Sequence, residues 1–291
     1  MAKSPAHRLG QIIGDILEET MIRYCEPIAA KHKLYIDYKH ERDARNGKKE
    51  VQWKDVNGNF HKLDVVLEKG GTEQIFGTPK AFIEVAWRRY KKHAKAKAQE
   101  ISAAIKPLIA KYNLDSPFFG VVLSGEFTDN SLEQMKSEGF EVLYFSTEAL
   151  EKAFASHGFD VHWNEGTSEA ELQSRVNRME LMSEEEKEKI GRSLMEANRD
   201  QWKSFVSKLD TALERMIGNI RVTSLYGNLK SFSTVEDACT YISHCSDSSE
   251  DLVLPLHNYE ITVLYSNGDS IDIKFKERTN AIKYLRQLEG K

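Results

Sequence analysis

Residues 81–101 read AFIEVAWRRYKKHAKAKAQEI. The stretch opens as an apolar, β-branched run broken by one carboxylate, Glu84. It then becomes the most basic part of the chain. Across residues 86–112 stand Arg88, Arg89, Lys91, Lys92, Lys95, Lys97, Lys106 and Lys111, with Glu100 as the one acid. The short apolar run predicts a buried strand over 80–87. The period that follows predicts a helix from about Arg89 to Tyr112, with Ala94, Ala98, Ile101, Ile105 and Leu108 facing inward. Pro107 is expected to kink it or end it early. FFGVVLSG (118–125) has the continuous apolar character of a strand buried on both faces. A strand, a crossover helix and a second buried strand imply a mixed α/β sheet flanked by helices.

Working outward, Leu9, Ile12, Ile13, Ile16, Leu17 and Thr20 fall on one face of a helix over 9–31. KLYIDYK (33–39) alternates as a strand. EVQWKDV (50–56) and FHKLDVVLEK (60–69) flank NGN, a hairpin signal because Asn and Gly tolerate positive φ. GGTEQIFGTP (70–79) is a loop. A helix near 128–138, the strand FEVLYFS (140–146) and a helix from Thr147 complete a core over residues 1–166. Residues 167–219 read as a separate helical segment, with Ser183 and Glu186 in capping-box spacing. Residues 220–291 read as a small α+β unit, a recognition or dimerisation module with a hairpin turning at Asn267-Gly268 and a last helix over 277–289.

The 291 residues are 40% hydrophobic and 30% charged, with a net charge of −4. This suits a globular protein with a sizeable core. No apolar run approaches the roughly 18–20 residues of a membrane span, and the first residues do not read as a signal peptide, so a cytoplasmic protein is expected. Cys25, Cys239 and Cys245 form neither a disulfide framework nor a zinc spacing and are expected as reduced thiols. One concentrated basic helix on an acidic chain points to a localised anionic partner.

Asp64 in KLDVVLE and Glu84 in FIEVAW each stand among apolar residues, where a carboxylate needs a partner. If their strands are neighbours, two hard oxygen ligands converge, a set that suits Mg²⁺ and metal-assisted phosphoryl chemistry. Glu68 shares the Asp64 strand face as a fallback ligand. The loop HERDARNGKK (40–49) is a second base-rich cluster for phosphate contact. Arg175, Asn177, Arg178, Arg192, Asn198, Arg199 and Lys203 are candidates for reading a DNA groove.

The hairpin ending in LDVV, the strand FIEVA, the basic helix containing KAQEI and the buried strand that follows resemble the PD-(D/E)xK nuclease core, in its type II restriction endonuclease branch. The resemblance covers roughly residues 8–150. It implies a restriction-endonuclease-like fold and a Mg²⁺-dependent endodeoxyribonuclease, with Mn²⁺ as a substitute metal. It further implies double-stranded DNA as substrate, a homodimer, and a cognate DNA methyltransferase as genetic partner. Asp64 and Glu84 match the family's two metal-binding acids. The family lysine two residues after the second acid is here Ala86, so either Lys95 or Lys97 on the adjoining helix fills its place or the core only binds DNA. A repair or RNA nuclease on the same core is a further alternative. By the same resemblance Glu18, or its neighbour Glu19, stands for the N-terminal helix glutamate. Gln99 matches a glutamine carried beside the metal by some branches. Arg88, Arg89, Lys91 and Lys92 are expected on the DNA backbone, where they give salt-dependent affinity.

Overall fold

α1 (Pro5–Lys31) starts a turn before its apolar pattern does. Ser4 accepts the His7 N–H at 3.3 Å, and Pro5 sits where a helix needs no amide. All six positions expected on its inner face are buried. β1 (Leu34–Asp37) follows, and then the hairpin β2 (Val51–Lys54) and β3 (Phe60–Leu63), paired in register around NGN. The strand expected over 60–69 is two strands. β3 ends at Leu63, Asp64 is a bend, and β4 (Val65–Lys69) joins a different sheet. The rest of the core is β5 (Thr78–Arg88), α2 (Lys91–Lys111), β6 (Phe118–Gly125), α3 (Asp129–Ser137), β7 (Glu141–Ser146) and α4 (Thr147–Ala155). α2 carries through Pro107 and closes with the Tyr112 N–H on the Leu108 carbonyl.

This computed structural model describes residues 4–112, 117–224, 228–245 and 257–288. Its main sheet has the order β1-β4-β5-β6-β7. The first two pairings are antiparallel and the last two parallel, so the sheet is mixed and its parallel part is built by the α2 and α3 crossovers. Helices cover both faces. One face buries α1 against Val65, Leu67, Ala81 and Ile83, and the other buries α2 against Val66, Phe82 and Ala86. Alternation along β4 and β5 sends successive side chains to the two layers.

The chain divides into two compact units, Met1–Leu213 and Glu214–Lys291. The helical stretch expected as a segment of its own, now α5 (Glu169–Glu180), α6 (Glu184–Ala197) and α7 (Arg199–Leu213), packs into the first unit through Val176, Leu194, Phe205 and Leu209. Two glycines allow the approach. A Cβ on Gly120 of β6 would stand 2.6 Å from the Phe205 ring, and one on Gly191 of α6 would stand 2.4 Å from the Thr20 hydroxyl. The capping box at Ser183 and Glu186 forms as expected.

The second unit, taken by itself, is α+β. β8 (Ile217–Ser224), β9 (Leu229–Phe232), β10 (Tyr259–Tyr265) and β11 (Ser270–Phe275) make an antiparallel sheet in the order β11-β10-β8-β9. α8 (Val235–His244) and α9 (Arg278–Leu288) share its core of Val222, Ile242, Ile261 and Leu285. The expected last residue of the final helix, at 289, lies outside the described residues. Among the described residues no helix is long and apolar enough to cross a membrane. Cys25 and Cys239 are buried and Cys245 is half-buried.

Candidate metal and active site

Asp64 and Glu84 are brought together by the register of β4 and β5. Val65 pairs with Ile83, so continuing the ladder by one residue sets Asp64 opposite Glu84. Side chains directly opposite on antiparallel strands share a face, with Cβ atoms about 4.5–5.5 Å apart. Asp64 leaves the strand here because its carboxylate takes over a ladder role. Oδ2 accepts the Val85 N–H at 2.7 Å, which clamps the bend to β5. Glu84 is buried, and its Oε1 has no hydrogen-bond partner.

Burial raises both carboxyls above their usual range, and the Asp64 charge raises Glu84 further. The Lys97 ammonium opposes the shift at both acids. Lys97 is half-buried on the second turn of α2, with Nζ 2.8 Å from Oε1 of Glu100. Lys95, two residues earlier on the same helix, is exposed. Of Lys95 and Lys97, the two candidates for the lysine that Ala86 lacks, Lys97 is the one whose charge acts on both acids. Ala86 is 3% exposed within the apolar layer beneath α2.

Glu18 joins the group from α1. Burial first, and then the charge of Asp64, push its carboxyl up to about 7. Lys39, just past β1, opposes that shift at both Glu18 and Asp64. Sequence reasoning passed over Lys39 as the end of a strand, and passed over Glu100 as the lone acid of a basic helix. Asp15, Glu18, Tyr38, Lys39 and Lys187 are among the residues lining a cavity of about 600 Å³. Glu19 is engaged there by Lys187 at 3.6 Å.

The remaining expectations divide. Lys91, Lys92 and Gln99 are exposed along α2. Arg88 donates to the Trp87 carbonyl at 2.7 Å, and the Arg89 guanidinium lies 4.2 Å from the Trp163 ring centre. Glu68 is not a spare ligand. A bulge after Leu67 turns it into a fully buried pair with Arg42, Nη1 to Oε1 at 2.6 Å. The same Nη1 lies 2.8 Å from Asp37, which also pairs with Arg45. Arg42 and Arg45 are therefore internal struts of the 40–49 loop, with Arg42 donating to the carbonyls of Thr72 and Ile75 at 2.8 Å each, and neither is available to a DNA backbone. In the middle helices Arg175 is held by Asp160 and Glu171, the Asn177 side chain accepts from Gln173, Arg178 covers Phe159, and the Asn198 side chain donates to the Leu194 carbonyl.

Two carboxylates, one with an unpartnered buried oxygen, form a hard-oxygen donor set that fits a small divalent cation with open positions. An ammonium beside them complements anionic charge arriving at the same place. Comparison with protein-family models, with curated proteins and with solved structures finds no match to this chain.

Proposed function

We propose that the first unit is a restriction-endonuclease-like core of the PD-(D/E)xK type and that the protein is a Mg²⁺-dependent endodeoxyribonuclease acting on double-stranded DNA at a specific site. The observation that carries this reading is the convergence of Asp64 and Glu84 across one register step, with the half-buried Lys97, on the helix that packs on their strand, opposing the shift of both carboxyls. Asp64 and Glu84 would hold the metal, leaving Glu84 Oε1 free to ligate. Bound there, Mg²⁺ supplies Lewis-acid stabilisation of the charge that gathers on a phosphoryl group. The chain's own contribution is positional. The Val85 amide fixes the Asp64 carboxylate, and the Lys97 ammonium balances negative charge at the reacting phosphate. Lys91 and Lys92 contact neighbouring phosphates and give binding its salt dependence. A homodimer reading a palindromic site, with a methyltransferase as genetic partner, belongs to the same proposal.

The test is cleavage of plasmid or phage DNA with Mg²⁺. Asp64→Asn, Glu84→Gln and Lys97→Ala are each expected to lower the rate by roughly 10²- to 10⁴-fold. Lys95→Ala is expected to stay within about twofold, since that side chain is exposed and its charge does not bear on either acid. Retained cleavage in Asp64→Asn would sink the assignment. DNA binding without cleavage by the wild-type protein would favour a binding protein on the same core.

A further inference from the structure

We propose that the β2–β3 ribbon is the element that reads DNA sequence, entering the major groove. The proposal rests on the nuclease reading above. Val51, Trp53 and Leu63 face the core, which leaves Gln52, Lys54, Phe60 and Lys62 on the outer side. These four form two facing pairs, Gln52 with Lys62 and Lys54 with Phe60, and the Lys54 ammonium lies 5.7 Å from the Phe60 ring centre. Phe60 is 64% exposed and Val56 at the tip 57% exposed. Apolar groups this open contribute little to the fold, so their carbon surface is free for a partner.

The ribbon is held stiff. Asp55, itself buried, accepts the N–H groups of Asn57 and Asn59 at 2.8 Å each and lies 2.8 Å from Nε2 of His61, which knits the turn. Its turn end is tied to α2 by the Val56 N–H on the Pro107 carbonyl at 3.4 Å and by Lys111 Nζ on the Lys54 carbonyl at 2.6 Å, which leaves the outer face of the strands, not the tip, to meet a partner. Charge selects the occupant. Residues 48–63 carry Lys48, Lys49, Lys54 and Lys62 against Glu50 and the buried Asp55.

The major groove, about 12 Å wide, admits a two-stranded ribbon. Lys reads guanine O6 and N7, Gln reads adenine, and an aromatic carbon edge packs on the thymine methyl. Phe60 stands four residues before Asp64, about 13 Å of strand. At 3.4 Å per base-pair step that is roughly four base pairs from the scissile phosphate. In the middle helices Arg175, Asn177, Arg178 and Asn198 are engaged locally, while Arg192, Arg199 and Lys203 stay exposed. On the ribbon Lys54 and Phe60 are exposed, and Glu50 holds the other pair, ion-paired to Lys62 and accepting from Gln52 at 3.4 Å, on a surface that a DNA groove can reach.

The experiment compares wild type with Phe60→Ala and Gln52→Ala, each checked for native circular dichroism. Dimethyl sulfate footprinting with Ca²⁺ reports guanine N7 in the major groove, and sequencing of the ends made with Mg²⁺ reports site preference. We expect N7 protection near the cut that weakens in the variants, and a preference at one position relaxed by about tenfold or more. Unchanged footprint and site spectrum in both variants would overturn the inference while leaving the nuclease reading intact. So would a change confined to oligomeric state, which would make the patch a contact between copies. Ribbon-dependent N7 protection by a wild-type protein that does not cleave would support the ribbon and sink the nuclease. Absence of DNA binding would sink both.

Discussion

At the scale of single residues the site is a problem in unfavourable charge. Glu18, Asp64 and Glu84 are held in one partly dry place, and each is harder to ionise than a free carboxylic acid. The consequence for stability has a definite sign. Glu18 ordinarily ionises near 4.5 and in the folded protein near 7. Between these values the folded chain keeps a proton that the unfolded chain has lost. Stability therefore falls as pH rises through that window and stays lower above it. Glu18→Gln mimics the protonated form at every pH. The variant is expected to match wild type at pH 4.5 and to exceed it at pH 8 in urea unfolding, and coincident curves at pH 8 would refute this. Of this residue-scale picture, the two acids were legible because a carboxylate in an apolar run is conspicuous. The choice of Lys97 over Lys95 was not, because both lie in one helical period and only packing shows which turns toward the sheet. Lys39 was invisible for a related reason: its role depends on β1 pairing with β4.

At the scale of elements, hydrophobic period was a sound guide wherever a segment stays in one layer. α1, α2, β6 and β7 stand close to their expected places. It failed at Asp64, where one apolar run serves two sheets. The bend is set by a tertiary hydrogen bond from Val85, and nothing local in LDVV announces it. It failed again at Glu68 and Arg42, which in sequence look like any surface pair. Breaking a buried ion pair leaves an uncompensated charge, so Glu68→Ala is expected to cost about 3–5 kcal/mol. The loss should appear as a lower urea midpoint at unchanged slope, and a shift under about 1 kcal/mol would show the strut to be dispensable. Its effect on cleavage is expected to be indirect, through the loop that Arg42 ties to β4.

At the scale of the whole molecule, the division after Leu213 has a practical use. All four tryptophans, Trp53, Trp87, Trp163 and Trp202, belong to the first unit. Tryptophan fluorescence therefore follows the unfolding of that unit alone. A divalent cation that binds only the folded site stabilises by mass action, about 2.7 kcal/mol at a hundredfold excess over Kd. Ca²⁺ or Mg²⁺ is expected to raise the fluorescence-detected midpoint of wild type and to leave Asp64→Asn unmoved. An equal rise in both would place the ion elsewhere. The mixed sheet flanked by helices was legible at this scale, and so was a separate α+β unit at the C-terminus. The allegiance of α5, α6 and α7 was not. Their charged outer faces hid a narrow apolar stripe, and the glycines that let two of them close in, Gly120 and Gly191, lie scattered through the chain.

The layer between β5 and α2 is thin where it matters. Ala86 on the strand and Ala94 and Ala98 on the helix are all buried, and Lys97 rides among them. Three methyl groups thus act as a gauge block that sets how far the ammonium stands above the two acids. A dimension of the proposed site is written here in side-chain volume. Widening the gauge by Ala98→Leu is expected to lift α2 and lower the cleavage rate at least tenfold, with DNA affinity nearly unchanged. A site built this way depends on a spacing between surfaces, and a pattern of letters along one strand does not record it.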